Sequence, residues 1–281
     1  MANWDKAVWF ITGTSSGFGH EIATAVIARG GRVAATARQV QTLQSLVQLA
    51  PDRVLALPLD VVNRKQIAAA AQRAEQHFGA IDVLVNNAGY GLIGTIEHMP
   101  EADIRQLFEV NFFGLVAMTQ AVLPGMRRQR RGVIVNISSG AGMGGHAGSA
   151  YCCASKFAVE GFTESLRAEV KPLGIGAMAV EPGFFKTEFG QNAQKPAEII
   201  PDYEPTAGLT AKMMASMKGR EPGDPARAAS IILDTLNESD PPGQLVLGAS
   251  SHQGVTARLA DRLSNIQARR PQAVGADFPA S

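Results

Sequence analysis

Cysteine is nearly absent from this 281-residue chain, which has two, Cys152 and Cys153, side by side. Neighbouring cysteines rarely bridge each other and cannot frame a disulfide scaffold, so a reducing compartment is expected. An excess of either charge is also missing, because 26 Lys and Arg stand against 25 Asp and Glu. A formal charge of +1 gives no global electrostatic reason to bind nucleic acid or an anionic membrane. Long apolar runs are missing too. Ala7 to Ile11 is too short to span a bilayer and lacks a signal peptide's flanks, and no later segment reaches about 18 uninterrupted apolar residues. The five histidines (His20, His77, His98, His146, His252) have no ligand spacing, so no metal is expected. Arg127, Arg128, Arg130 and Arg131 read as a solvated helix end, where the dipole favours cations, rather than as a nucleic-acid site. These absences leave a soluble, cytoplasmic protein without nucleic-acid or membrane partners as the expectation. The 46% apolar content is enough for a sizeable core.

What is present is an alternation of short apolar runs and helical patterns. Strands are expected at Ala7–Thr12, Arg32–Thr36, Arg53–Pro58, Ile81–Val85, Gly132–Ile137, Gly176–Val180 and Gln244–Leu247. Between them lie helical patterns, including a long one from Glu101 to Arg130 in which Pro124 predicts a kink or break. Asp224 and Pro225 read as the N-cap and first residue of a later helix. Such alternation implies right-handed crossovers and a parallel sheet covered on both faces. The fold expected is therefore α/β, a Rossmann-type doubly wound parallel sheet of seven strands in a single domain over 1–250. Residues 188–223 form an excursion from the alternation. Residues 251–281 form a polar C-terminal extension with one helix expected, Val255 to Ala268.

The first strand runs into Thr12-Gly13-Thr14-Ser15-Ser16-Gly17-Phe18-Gly19. Glycines permit tight turns and close approach of backbone N–H groups, and the helix N-terminus that follows favours an anion. The spacing is G-x-x-x-G-x-G, and His20 stands where a Walker loop would need its Lys-Ser/Thr pair. An ordinary glycine-rich turn is the bland alternative. The loop's place after the first strand of an alternating chain favours a dinucleotide pyrophosphate. The second strand ends in Thr36-Ala37-Arg38 with no carboxylate for a ribose 2′-hydroxyl, and Arg38 could pair with a 2′-phosphate. NADP is therefore favoured and NAD is the alternative. Asp60, beside Val61, reads either as an acceptor near the adenine or as a helix-capping acid.

Four further features follow in order. The fourth strand ends in Asn86-Asn87-Ala88-Gly89, Asn111 lies within the long helix, the fifth strand ends in Asn136-Ile137-Ser138-Ser139, and Tyr151 is followed by Lys156. With the glycine loop, this order resembles the short-chain dehydrogenase/reductase family over roughly residues 7 to 250. The resemblance implies a hydride transfer between a nicotinamide cofactor and an alcohol or carbonyl. It places Gly13, Ser15, Ser16, Gly17, Phe18 and Gly19 at the pyrophosphate, with Asn86, Asn87, Ala88 and Gly89 on the adenosine side. Ser139 would position the substrate oxygen, although Ser138 competes for that role. Tyr151 would exchange the proton, and Lys156 would hold the nicotinamide ribose. Asn111 would support a water relay. Pro182, Gly183 and Thr187 match the segment that borders the carboxamide. A free tyrosine is a weak base near neutrality, and an adjacent ammonium favours the phenolate.

The family pattern is Y-x-x-x-K, whereas this chain reads Tyr151-Cys152-Cys153-Ala154-Ser155-Lys156, one residue more. Four helical steps bring a side chain back within about 40° of the first, but five leave it about 140° away. A π-bulge could absorb the extra residue. Alternatively, the chain carries only one of the two cysteines, or the site is broken and the protein binds nucleotide without turnover. An intact pair of Tyr151 and Lys156 is preferred, because every other site residue is present. Cys152 in the tyrosine's place is the remaining alternative, and nothing in the sequence supports it.

Phe184, Phe185 and Phe189 follow the sixth strand, and Met213, Met214 and Met217 lie on a short helical pattern. They read either as a small core or as a mobile apolar lid over a hydrophobic alcohol or carbonyl substrate. Phe112, Phe113, Phe157 and Phe162 flank Asn111 and Lys156, on helices that in the family commonly form subunit interfaces. The resemblance therefore implies a homodimer or homotetramer, against burial within the monomer. A lyase or epimerase on the same fold stays open as a different function.

Overall fold

The computed structural model describes residues 3–189, 193–194 and 200–278. Parts of the 188–223 excursion, Pro196 included, lie outside the described residues. Seven strands appear where the apolar runs are: β1 (Val8–Ile11), β2 (Arg32–Ala37), β3 (Val54–Pro58), β4 (Val83–Asn86), β5 (Gly132–Ile137), β6 (Ile175–Pro182) and β7 (Gln244–Leu247). All pair in parallel in the order β3-β2-β1-β4-β5-β6-β7. The order reverses between β1 and β4, so a crevice opens beyond their carboxyl ends. The seven-stranded, doubly wound sheet is as the sequence predicts.

The helices are α1 (Gly17–Ala28), α2 (Gln44–Leu49), α3 (Arg64–Phe78), α4 (Glu101–Phe108), α5 (Gly114–Gln129), α6 (Ala150–Val170), α7 (Leu209–Met217), α8 (Pro225–Leu236), α9 (Ala249–Ala268) and α10 (Arg270–Val274). One face of the sheet packs Trp9, Ile11 and Val180 against Ile22 and Val26 of α1 and Ile232 and Leu236 of α8. The other packs Phe10, Leu84 and Ile134 against Ala70 of α3, Met118 and Met126 of α5 and Leu166 of α6. Burial on both faces explains strands that are apolar throughout. Asp224 caps α8 by accepting from Ala226 and Arg227, with Pro225 at the first helical position.

The long helix departs from its sequence reading. No break occurs at Pro124, which sits inside α5; the helix instead widens into a π-turn, Glu109–Phe113, where α4 runs on into α5. Gln120, whose carbonyl Pro124 leaves without its helical donor, lies on the exposed side, where water can satisfy it. By length and composition, Glu101–Gln129 could cross a bilayer. Here it is a core helix, with Leu107, Met118, Val122 and Met126 buried against the domain.

Candidate active site

The glycine loop is locked to the end of β4. Asn87 donates its amide to the carbonyls of Thr12 (2.9 Å) and Gly13 (2.8 Å). The Thr12 hydroxyl accepts from the backbone of Asn87 (2.9 Å) and Ala88 (3.0 Å). Gly13 (φ 70°) and Gly17 (φ 58°) take left-handed backbone that disfavours other residues. A Cβ on Gly19 would lie 2.3 Å from the Gly13 carbonyl oxygen and 2.5 Å from the Asn87 amide, so only glycine lets α1 start this close to the loop. The result is a cradle at a helix N-terminus, suited to a diphosphate.

Around it, Ser15, Ser16, Phe18, Arg38, Asp60, Val61, Ala88 and Gly89 line one cleft of about 1380 Å³. Arg38 is exposed at the end of β2. Of the two readings of Asp60, the helix cap is ruled out. Asn63 caps α3, accepting from Lys65 and Gln66 at 3.1 Å, while Asp60 accepts from Val62 (3.2 Å) in the preceding turn. Pro182, Gly183 and Thr187 border the far side. Thr187 packs its methyl end over Gly17, and the Gly183 N–H is held on Leu247 at 2.9 Å.

Beyond the end of β5, Ser139 and Ser138 both line the cleft. The Ser139 hydroxyl accepts from Ala141 at 3.1 Å, which opens a short 3₁₀ turn. Ser138 is 3% exposed, and its hydroxyl has no partner among the described residues. Lys156 is buried, lines the cleft and donates to the Ile137 carbonyl at 2.8 Å. Burial holds its ammonium below the ordinary lysine range. Asn111 does not reach the cleft. It is buried in the π-turn, accepting from the Tyr90 backbone and donating to the Tyr90 carbonyl, both at 3.0 Å, and donating to the Ser155 hydroxyl at 3.3 Å. It therefore ties the chain beyond β4 to the residue beside Lys156.

The pairing of Tyr151 with Lys156 needs correcting. No π-turn absorbs the extra residue: α6 is an uninterrupted α-helix, and the π-turn lies around Asn111 instead. Tyr151 points out of the cleft, donating its hydroxyl to the Ile96 carbonyl at 2.9 Å and packing beside Leu92, Met99 and Leu107. It is not among the cleft's lining residues; Cys152 is. The cause is helical phase, since five steps separate Tyr151 from Lys156 and four separate Cys152. Burial pushes the Cys152 thiol up, while the Lys156 ammonium pulls it down. Cys153 is buried.

Below this floor, Glu160 and Glu181 are buried. Burial, reinforced by Glu160, pushes the Glu181 carboxyl up to about 7, and neither of its oxygens has a partner among the described residues. The sequence reading, which matched Glu181-Pro182-Gly183 only as a segment, gave the carboxyls of Glu160 and Glu181 no role, and none to the C-terminal extension. Helix α9 starts at Ala249, six residues before the expected start. Its Ser250, Ser251, Val255, Arg258 and Asp261 line the cleft, and the Ser251 hydroxyl is anchored on the Glu181 carbonyl at 3.0 Å. Helix α7 has no buried residue, and Met213, Met214 and Met217 all line the cleft. Phe185 stacks edge-on with Phe18 at 5.0 Å.

The model of the short chain dehydrogenase family matches residues 7–198. Oxidoreductase calM of Penicillium decumbens is 37% identical over 275 residues, covering 93% of this chain and 90% of its own. A short-chain dehydrogenase from Streptomyces avermitilis superposes with a TM-score of 0.92 at 38% identity, covering 99% of this chain and 100% of that one. A short chain dehydrogenase from Burkholderia cenocepacia, solved in complex with NADP, gives 0.74 at 26% identity, covering 95% of this chain and 98% of that one.

Proposed function

Because the chain belongs to the short-chain dehydrogenase family, we propose that it is an NADP(H)-dependent oxidoreductase interconverting an apolar secondary alcohol with its ketone, or an alcohol with its aldehyde. One observation carries the reading. A single cleft joins a glycine cradle, the Arg38 guanidinium and the Lys156 ammonium. When bound, the dinucleotide supplies a hydride donor or acceptor at its nicotinamide ring.

The chain's own residues do the rest. The N–H groups from Gly13 to Gly19 hold the pyrophosphate. Arg38 pairs with the 2′-phosphate, and Asp60 and Val61 flank the adenine. Asn87, Ala88 and Gly89 wall the adenosine side. Lys156, fixed on Ile137, donates to the nicotinamide ribose, and Pro182, Gly183 and Thr187 border the carboxamide. Ser139 orients the substrate oxygen. Asn111 positions Tyr90 and Ser155 without touching the reacting atoms. The phenylalanines after β6 and the α7 methionines exclude water from an apolar substrate. The NADP carried by the Burkholderia cenocepacia relative supports the choice of dinucleotide. The exposed Phe113 supports a homodimer or homotetramer through α5 and α6, and the unbridged cysteines support a cytoplasmic setting.

Fluorescence titration with NADPH and NADH, followed by steady-state oxidation of NADPH with a panel of ketones and aldehydes, tests the reading. Tight NADPH binding with turnover is expected. A second reading, a nucleotide-binding regulatory protein with impaired catalysis, draws on the turning away of Tyr151. Tight binding without turnover of any carbonyl would select it.

A further inference from the structure

We infer that Cys152, and not Tyr151, holds the proton-exchanging position of this cleft, its thiol serving as the acid in carbonyl reduction. The inference rests on the oxidoreductase reading above and adds the identity of the proton donor.

The phase of α6 is set at Lys156, whose ammonium is tied to the Ile137 carbonyl at 2.8 Å. In an unbroken helix the residue four steps earlier shares that face to within about 40°. That residue is Cys152, and it lines the cleft together with Lys156, Ser138 and Ser139. Tyr151 is committed elsewhere, with its hydroxyl on Ile96 and its ring in a separate apolar cluster. Ser138, 97% buried, lines the same wall with its hydroxyl beside the Glu160 carboxyl, whose pKa it helps keep down.

A thiol can serve as the acid here, because burial keeps its proton on near neutrality and the Lys156 ammonium favours the thiolate left when that proton is given up. In the reductive direction the carbonyl carbon accepts a hydride from a reduced nicotinamide dinucleotide, which loses two electrons as the carbonyl gains them. The carbonyl π bond opens onto oxygen, that oxygen takes the proton of the Cys152 S–H, and the alcohol leaves. The thiolate that remains lies near the Lys156 ammonium and is reprotonated from solvent. A thiol on a single methylene is much shorter than a phenol. The substrate oxygen must therefore come closer to α6 than a tyrosine there would allow, into the room its ring would take.

The test uses the full-length protein with NADPH and the best carbonyl from the panel. Cys152→Ala should lower kcat at least 100-fold while NADPH affinity stays within threefold. Cys152→Ser should retain more activity than Cys152→Ala, and Tyr151→Phe should keep kcat within about twofold. Alkylation by iodoacetamide, located by mass spectrometry, should modify Cys152 and be slowed at least tenfold when NADPH and the product alcohol are bound. Full activity in Cys152→Ala, a 100-fold loss in Tyr151→Phe, or no protection of Cys152 would overturn the inference. Wild-type protein that binds NADPH but reduces no carbonyl would also overturn it, while leaving the nucleotide site standing. Failure to bind either dinucleotide would remove the functional reading and this inference together.

Discussion

The Tyr151 hydroxyl donates to the Ile96 carbonyl across 2.9 Å, fastening the start of α6 to the segment that follows β4. That bond is structural. Tyr151→Phe removes one hydrogen bond while keeping the ring among Leu92, Met99 and Leu107. We expect a loss of about 0.5–1.5 kcal/mol in stability, read as a lower denaturation midpoint, with unchanged NADPH affinity. A collapse of NADPH binding would show that the ring does more than brace the helix.

Gly19→Ala probes the cradle. An added methyl would meet the Gly13 carbonyl and the Asn87 amide, both fixed by mutual hydrogen bonds. Either the loop or the first turn of α1 must shift. The expected result is a destabilisation of roughly 1–3 kcal/mol with weakened dinucleotide binding. Wild-type affinity in this variant would mean that the loop is not the phosphate site.

Arg38→Asp should invert the cofactor preference. A charge-assisted contact to a 2′-phosphate is lost, and a carboxylate able to accept from a 2′-hydroxyl is gained. The ratio of kcat/KM for NADPH over NADH should fall about 10–100-fold. An unchanged ratio would reduce Arg38 to a solvated surface residue.

Glu181 predicts a pH dependence of stability. Its folded-state pKa of about 7 lies above an ordinary carboxylate's, so between about 4.5 and 7 the native protein keeps a proton that the unfolded chain has released. Stability from this group is full below the unfolded pKa and is lost as pH rises through the folded value. Glu181→Gln should flatten that slope and raise stability at pH 8 by an amount on the order of 2–3 kcal/mol. Denaturant titrations of both proteins between pH 4.5 and 8 check this, and parallel curves would refute it.

The sequence made the sheet legible because strands buried on both faces must be apolar along their whole length, as Val83 to Val85 and Val133 to Val135 are. The cradle was legible because left-handed backbone and close approach leave glycine little competition at Gly13, Gly17 and Gly19. Helical phase at α6 was not legible. An extra residue can be taken up by a π-turn, by a shorter preceding loop or by rotation of the first turn, and composition does not choose among these. The geometry does: the helix stays regular, Lys156 keeps its carbonyl partner, and Tyr151 rotates out.

The π-turn between α4 and α5 was hidden for a related reason. Pro124 is a strong helix-breaking signal, but its cost is low where the freed carbonyl faces water, and the π-turn around Asn111 has no comparable marker. The first turns of α9 were hidden because Ser250, Ser251 and Gly254 are poor helix formers. They are held by tertiary contact, above all the Ser251 bond to the Glu181 carbonyl.

Under the proposed function, this cleft moves a hydride from a dinucleotide to a carbonyl carbon. The most direct measurement incubates the protein with a ketone and NADPH carrying deuterium at the transferring position of the nicotinamide ring, then locates the label by mass spectrometry. One deuterium is expected on the carbinol carbon of the product alcohol for each NADPH oxidised. Alcohol formed without the label, or product formed with no net oxidation of NADPH, would contradict it.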